Sequence, residues 1–192
     1  MRIVLASASP RRAQLLKQIC AQFEVLPSHI EERRHADETP STYVQRLALD
    51  KARYVAGQLD DTALVIGSDT LIDYAGEVME KPLDKPHFKQ MLGQLAGHVH
   101  QVRTAVAVVV TDGRQIKREQ VLEVVTDVEL GAINDQQLEH YWNTGEPQDK
   151  AGGYAIQGGA ARFVKRINGS YTAVVGLPLY ETDQLLSAVA NS

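Results

Sequence analysis

The sequence predicts an α/β protein with a mixed, twisted β-sheet and flanking helices. Strand-like and helix-like segments alternate through the first third of the chain, which is typical of βα units. A later stretch, TAVAVVVTDGRQIKREQVLEVVTDVEL at 104–130, is rich in β-branched residues and contains one Asp-Gly turn. This pattern indicates a long antiparallel hairpin. Because both kinds of connection occur, the sheet is predicted to be mixed rather than purely parallel.

Apolar periodicity and turn residues define the elements of the N-terminal half. They predict a strand at 2–5, a helix from 10 to about 20, a strand at 23–26, a helix at 40–58, and two strands within 63–78 that a turn at Ala75 and Gly76 joins. The first helix has the clearest start. Ser9 is a favoured N-cap and Pro10 a favoured first helical residue.

The C-terminal half continues with helices around the hairpin. The predicted elements are a helix at 86–95 that stops at Gly97, the hairpin with its turn at Asp112 and Gly113, a helix capped by Asn134 that runs through Trp142, an irregular glycine-rich stretch at 146–163, and a terminal helix at about 178–189. The hairpin is expected at the centre of the sheet. No repeat, linker or low-complexity tract interrupts the sequence, so a single domain over 1–192 is expected.

Composition restricts the possible partners. The chain has 192 residues, of which 44% are hydrophobic and 23% charged, and its net charge is -4. Such a chain can bury a substantial core, but it has no broad cationic surface for duplex nucleic acid. The acid excess and the lack of aromatic residues between basic ones also argue against single-stranded nucleic acid. Any anion site must therefore be local.

Cysteine use and hydropathy indicate a cytoplasmic protein. Cys20 is the one cysteine, which excludes an internal disulfide, and its helical spacing behind Leu16 predicts core packing. The N-terminal apolar run at 3–6 is too short for the hydrophobic region of a signal peptide. No stretch approaches about 18 apolar residues, so no membrane span is expected.

Two arginines occupy an unfavourable place at the start of the first helix. Arg11 and Arg12 lie at the positive end of the helix dipole, where each cation costs on the order of 0.3–1 kcal/mol unless an anion lies nearby. At about 100° per residue, Arg12 falls within the apolar stripe of the helix and Arg11 at its border. Arg12 is therefore predicted to point inward. An anionic ligand that binds beside the two arginines would explain their position.

A lysine and an aspartate are also placed where solvated charges are not expected. Lys51 falls in the centre of the apolar face of the second helix, so it must snorkel, pair with an acid or line an internal cleft, and the cleft is favoured. Asp69 follows Gly67 at what is predicted to be the carboxyl end of a strand, a common place for chemistry in α/β sheets, although a bulge or cap is an equal alternative. A carboxylate there could bind a metal or accept a proton from water.

Three further segments carry weaker signals. Lys81 lies near the end of the next strand, where a surface turn is the simpler reading, and the charge run containing Glu32 is most often a solvated loop. Glycines surround Tyr154 and Gln157, which indicates close backbone approach around one aromatic ring and one amide, with a plain turn-rich loop as the equal alternative.

Several familiar constellations are missing from the sequence. There is no Walker motif, dinucleotide-binding glycine motif, zinc-ligand set or serine nucleophile elbow. The histidines are scattered without partner spacing, and surface positions are expected for all six: His29, His35, His87, His98, His100 and His140.

Five ordered motifs resemble those of the Maf family of nucleoside triphosphate pyrophosphatases, and the likeness runs essentially end to end. They are SASPRR at 7–12, GSDT at 67–70, EKP at 80–82, DKAGGYAIQG at 149–158 and NGSYTAVVGLPL at 168–179. The resemblance implies an inosine triphosphatase-like fold with two lobes around a deep cleft, and often a homodimer. It also implies hydrolysis between the α and β phosphates with a divalent cation, Mg²⁺ or Mn²⁺.

The resemblance also assigns roles to individual residues. Asp69 matches the proposed proton acceptor of the family. The matching cleft residues are Ser7, Arg11, Arg12, Glu32, Lys51 and Lys81. The two arginines would then bind the triphosphate with the free N–H groups of the first helical turn, and the two lysines would neutralise the departing pyrophosphate. Glu32 and Asp69 would hold the metal ion.

Within the family, Arg12, Thr70 and Gln157 match the branch that resembles dTTP and UTP pyrophosphatases. A carboxamide can donate to O4 and accept from N3–H of uracil or thymine, and when flipped it fits cytosine. CTP and modified pyrimidine nucleotides are therefore further candidate substrates. The competing hypothesis is a regulator of septum formation that binds nucleotide without significant turnover, because the family is also associated with that process.

Overall fold

The computed structural model describes residues 1–190 and contains one seven-stranded mixed sheet within them. The strands are β1 (Arg2–Leu5), β2 (Glu24–Val25), β3 (Ala63–Tyr74), β4 (Glu77–Met79), β5 (Val99–Asp112), β6 (Gln115–Leu130) and β7 (Val164–Asn168). Their order is β2-β1-β3-β5-β6-β7, with β4 also paired to β3. The β2-β1-β3 part is parallel and the remaining pairs are antiparallel. The predicted mixed α/β class is confirmed.

Six helices and three short 3-10 turns surround the sheet in the described part of the chain. The helices are α1 (Pro10–Leu16), α2 (Pro40–Ala56), α3 (Lys85–Leu95), α4 (Asp135–Trp142), α5 (Tyr171–Val175) and α6 (Leu179–Ala190). The 3-10 turns are Glu146–Asp149, Ala151–Gly153 and Gly159–Phe163. Each helix within residues 1–190 is too short or too polar to span a lipid bilayer.

Three apolar clusters place the helices around the sheet. Helix α2 covers one face through Tyr43, Val44 and Leu47, while α1 and α6 pack on the opposite face with Leu16 and Leu185. The third cluster lies at the far end of the long strands, where α3 and α4 pack around β4 and β7. It forms a second lobe, and the candidate cleft lies between this lobe and the rest of the sheet. Cys20 is buried in the cluster of α1, as predicted.

Most element boundaries agree with the sequence prediction, and the exceptions have local causes. Helix α1 ends at Leu16 instead of about residue 20, because Gln18 and Ile19 donate to carbonyls three residues back and tighten the chain into a turn. Strand β7 and helix α5 were not predicted. Of the hairpin strands, β5 lies at the centre of the sheet, whereas β6 is next to its edge.

Strand β3 does not end at Asp69, which corrects the prediction that Asp69 lies at the carboxyl end of a strand. Pairing with β5 continues from Ala63 to Asp73. On the other side, β1 pairs with β3 only as far as Ile66, and pairing with β4 begins at Ile72. Segment 67–71 therefore has a strand on one side only. Asp69 lies in this gap, just beyond the carboxyl end of the parallel part of the sheet.

Candidate active site

The gap in the edge of β3 opens into a cleft of about 520 Å³. Its polar end is lined by Arg11, Arg12, Glu32, Lys51, Asp69 and Lys81, which come from five separate segments of the chain. Its other end is formed by Ile72, Val102, Tyr154 and Val174, which belong to the apolar cluster of the second lobe or pack against it. Thr70 and Gln157 also line it. Of the nine predicted site residues, eight therefore lie around one cleft.

Lys51 joins the two acidic side chains of the cleft. Its Nζ lies 2.6 Å from Oδ1 of Asp69 and 2.8 Å from Oε1 of Glu32. Lys51 and Asp69 are only 5% and 6% exposed. Two of the alternatives for Lys51 are thus realised together, since it pairs with acids and lines a cleft.

The environment shifts the pKa values of both carboxyl groups. Burial raises the pKa of Asp69 above its ordinary value, although Lys51 and Arg12 act in the opposite direction. Partial burial also acts to raise the pKa of Glu32, but the nearby Lys51, Lys81 and Arg12 outweigh it and the net shift is downward. Glu32 therefore stays ionised at neutral pH, and half of its side chain is accessible to solvent.

Arg12 points inward, as its helical position predicts, and three groups fix its guanidinium. Its Nε donates to the carbonyl of Gly176 at 2.8 Å, Nη1 to Ser7 at 3.3 Å and Nη2 to Thr70 at 3.3 Å. A guanidinium has five N–H donors, so two remain for a ligand. All three acceptors are neutral, and burial lowers the pKa of Arg12. The arginine stays charged nonetheless.

Ser7 and the Gly176 carbonyl hold the Arg12 guanidinium in place. Ser7 is buried, does not line the cleft, and also accepts from the backbone N–H of Ser9. The Gly176 carbonyl accepts from the Ser68 hydroxyl as well, at 2.9 Å. The sequence-based prediction did not include this carbonyl, because every residue has a backbone acceptor and its residue type does not show which one is used.

Three cations of the cleft have no acidic partner. Among residues 1–190, Arg11, Arg12 and Lys81 form no ion pair, whereas Lys51 has two. Lys81 is exposed and lies in the loop after β4, at the rim of the cleft. An inward arginine without a carboxylate is costly unless an anion binds beside it. The site is therefore suited to a polyanion.

Two carboxylates are the candidate metal ligands. Lys51 engages one oxygen of Asp69 and one of Glu32, and the second oxygen of each makes no hydrogen bond to residues 1–190. Mg²⁺ commonly binds one or two carboxylates and completes its shell with water and phosphate oxygens. The donor set fits such an ion, although the described chain has no group of three or more acidic, histidine or cysteine side chains that are placed to hold a metal ion together.

His100 contradicts the expectation that all six histidines lie on the surface. It is 2% exposed, and its Nε2 lies 2.7 Å from the hydroxyl of Tyr154, which lines the apolar end of the cleft. Burial lowers the pKa of His100 to about 4. In strand β5, His100 lies on the same face as the buried Val102 and Thr104, and the residues between them are less buried. That two-residue periodicity was the available signal for its burial.

The glycines around Tyr154 and Gln157 approach the protein's own side chains. A Cβ at Gly152 would lie 2.4 Å from Ile72, and one at Gly153 would lie 2.8 Å from Phe88. This segment therefore packs tightly on the second lobe, which brings the exposed Gln157 to the cleft.

Comparison with known proteins identifies relatives along the whole chain. A dTTP/UTP pyrophosphatase of Idiomarina loihiensis is 50% identical over 97% of this chain and 94% of its own length. A dTTP/UTP pyrophosphatase of Vibrio cholerae is 51% identical over 96% of each chain. The solved structure of a HAM1 protein from Coxiella burnetii covers 98% of this chain and 99% of its own, with 17% identity and a TM-score of 0.51, and supports the predicted fold alone.

A family model provides the assignment that these relatives suggest. The model described as Maf-like protein matches residues 2–189, which include all nine predicted site residues and every element that lines the cleft. The chain therefore belongs to the Maf family.

Proposed function

We propose that the protein is a nucleoside triphosphate pyrophosphatase that hydrolyses dTTP and UTP to the monophosphate and pyrophosphate. The observation that carries this proposal is the convergence of four cations and two carboxylates at one end of a cleft whose other end is largely apolar. A triphosphate fits the first end and a nucleoside the second. Relatives about half identical over nearly their full length are named dTTP/UTP pyrophosphatases.

In this proposal, Arg11 and Arg12 bind the triphosphate. The fixed guanidinium of Arg12 directs its two remaining donors at phosphate oxygens, which suits the planar geometry of arginine. Because the protein already holds this side chain, little conformational entropy is lost on binding. The electrostatic cost of an unpaired inward cation becomes favourable binding energy.

Asp69 orients the attacking water and accepts its proton. The water oxygen forms a bond to the α-phosphorus, the bond from that phosphorus to the oxygen bridging to the β-phosphate breaks, and pyrophosphate leaves. Lys51 and Lys81 neutralise the charge that develops on this leaving group. No covalent enzyme intermediate is required, and most of the catalysis comes from positioning and charge stabilisation.

Glu32 and Asp69 would hold the divalent cation, Mg²⁺ or Mn²⁺. When bound, the ion supplies Lewis-acid neutralisation of phosphate charge. Their free oxygens support this role.

Gln157 would recognise the base at the rim of the apolar end. Its amide complements uracil and thymine, and after a flip it also fits cytosine. CTP and modified pyrimidine nucleotides are therefore proposed as additional substrates.

The test is an assay that separates pyrophosphate from orthophosphate. Purified protein is incubated with dTTP, UTP, CTP, dGTP or 7-methyl-GTP and with Mg²⁺ or Mn²⁺. Pyrophosphate from dTTP and UTP is expected. Orthophosphate alone would mean that a different bond is broken. Tight binding without any product would favour the alternative, a nucleotide-binding regulator of septum formation, which the names of the relatives do not favour.

We further propose that the protein acts in the cytoplasm as a homodimer. The family resemblance supports the dimer, and a triphosphate substrate supports the location. Light scattering on the eluting protein tests the oligomeric state. A mass of about 42 kDa is expected from two chains of 21.1 kDa, and a single-chain mass at all concentrations would contradict it.

A further inference from the structure

The segment that carries Gln157 is a tight turn anchored on both sides. The Gly158 N–H donates to the Ala155 carbonyl at 3.0 Å, which closes the turn around Gln157. The Gln157 side chain is exposed and makes no hydrogen bond to residues 1–190. Its position in the cleft therefore depends on the backbone of the turn.

Two side chains outside the cleft hold this turn. The Ala155 N–H donates to the hydroxyl of Tyr141 at 3.1 Å, and the Gly159 N–H donates to Oε2 of Glu146 at 3.1 Å. The Tyr141 hydroxyl in turn donates to Oε1 of Glu146 at 2.5 Å. The pair thus contacts the backbone on each side of Gln157. We call Tyr141 and Glu146 the turn clamp.

Gly158 shows how closely the turn clamp approaches the backbone. A Cβ at this position would lie 2.0 Å from Oε2 of Glu146, so a larger residue would push the carboxylate out of its place in the turn clamp. The carboxylate also forms no ion pair within residues 1–190. Its polar partners are the Tyr141 hydroxyl and the Gly159 N–H.

We propose, resting on the proposed function, that the turn clamp sets the preference for pyrimidine over purine nucleotides. Tyr141 and Glu146 act as positioning residues, because they contact the backbone of the turn and do not line the cleft. A purine presents its hydrogen-bonding edge farther from the sugar than a pyrimidine does. With the phosphates held at the arginine end, a fixed Gln157 meets the edge of only one ring size.

Two substitutions loosen the turn clamp while keeping side-chain volume. Tyr141→Phe removes the hydroxyl but keeps the ring, which packs against Phe88 and Phe163 at centroid distances of 6.1 and 5.8 Å. Glu146→Gln leaves one acceptor oxygen for two donors. Glu139→Gln is the matched control, since Glu139 lies on the same helix as Tyr141 and pairs with Lys85 and Lys89 away from the turn.

The experiment compares kcat/KM for dTTP and dGTP in each variant. Both clamp variants are expected to lower the dTTP-to-dGTP ratio on the order of tenfold, mainly through KM for dTTP. Glu139→Gln is expected to keep the wild-type ratio. In the Gln157→Ala background, Tyr141→Phe is expected to add no further loss, because both changes act through the same amide.

Amide hydrogen exchange of residues 155–159 supplies a readout that needs no substrate. The clamp variants are expected to exchange there on the order of tenfold faster, with unchanged protection of β3 and β5. An unchanged ratio, an unchanged exchange rate, or an additive loss in the double variant would overturn the inference while leaving the proposed function intact. A wild-type protein that releases no pyrophosphate from dTTP would overturn the proposed function, whereas one that hydrolyses dTTP and dGTP equally well would overturn the selectivity role alone.

Discussion

Asp69 combines burial with an open oxygen, a combination that suits a proton acceptor. Asp69→Asn keeps the side-chain volume and one acceptor for Lys51 but cannot take up a proton. We expect kcat to fall on the order of 10²–10⁴-fold with nucleotide affinity largely unchanged. Pyrophosphate release and calorimetric binding of dTTP measure the two effects. A near-normal rate would exclude the assigned role.

Asp50, which precedes Lys51 and lies on the outer side of α2, provides the control for Asp69. Asp50 forms an i,i+4 ion pair with Arg46 outside the cleft. Asp50→Asn is therefore expected to leave turnover unchanged, which separates the effect of losing a carboxylate from the effect of losing this particular one.

His100 makes the stability of the fold depend on pH. Burial lowers the pKa of His100 from 6.5 to about 4. Between these two pH values the unfolded chain binds a proton at His100 and the folded chain does not. Its contribution is full above pH 6.5 and is lost as the pH falls towards 4. Between pH 7.5 and pH 5 the loss is about 2 kcal/mol for this group.

His100→Asn tests this contribution by urea unfolding at the two pH values. The variant is expected to be less stable at pH 7.5, since Tyr154 loses its partner, but to lose about 2 kcal/mol less than the wild-type protein on going to pH 5. Equal losses in both proteins would show that His100 does not titrate as its burial implies.

At the scale of secondary structure, Gly67 sets the distance between β3 and α2. A Cβ there would lie 2.1 Å from the Ala48 carbonyl and 2.9 Å from the Ala52 N–H. Gly67 shares its strand face with Asp69, while Ala48 and Ala52 flank Lys51 on the helix. The close approach of the two elements therefore allows the pairing of Lys51 with Asp69.

Gly67→Ala is expected to displace α2 and weaken both the fold and the site. Overpacking of this kind costs about 1–3 kcal/mol, and a displaced Lys51 lowers kcat. Urea unfolding and the pyrophosphate assay measure the two effects. Gly93→Ala is the control, because no atom lies within 4 Å of its added Cβ, and a gain of about 0.5–1 kcal/mol is expected there. A wild-type kcat in Gly67→Ala would show that the close approach of β3 and α2 at Gly67 is not needed to pair Lys51 with Asp69.

The elements with strong periodicity were predictable, and those fixed by tertiary contacts were not. Helix α2 and strand β5 carry long apolar patterns that specify their type. Strand β7 has only two half-buried apolar positions, one near each end, and pairs with β6 across a bulge. Helix α5 spans five residues. Neither is long enough to show a period, so distant partners decide their structure.

At the scale of the whole molecule, the site depends on which distant segments meet. The helical positions of Arg12 and Lys51 correctly predicted inward charges, because periodicity reports which side of an element faces the core. Glu32 lies in a loop without periodicity, and residues alone gave no reason to choose it. It entered the predicted site through the family resemblance, and the structure brings it to Lys51. Sequence patterns thus indicate which side of an element a residue occupies, whereas only the fold shows which distant residues lie close together.

The charge distribution of the whole molecule leads to a prediction about salt. The net charge of -4 repels a triphosphate at long range, so binding must come from the local cations of the cleft. Raising NaCl from about 0.1 M to about 1 M shortens the Debye length from about 10 Å to about 3 Å. If the repulsion dominated, KM for dTTP would fall. If the cleft cations dominate, KM rises.

We expect KM for dTTP to rise on the order of tenfold over this range, with kcat changed far less, because screening acts mainly on association of the charged substrate. Arg11→Gln removes one unpaired cleft cation, so KM for dTTP in this variant is expected to rise less with NaCl concentration. Arg114→Gln is the control, since this exposed arginine pairs with Asp60 outside the cleft, and its dependence should match the wild type. A KM that is constant or falls with salt would mean that the cleft cations do not bind the triphosphate.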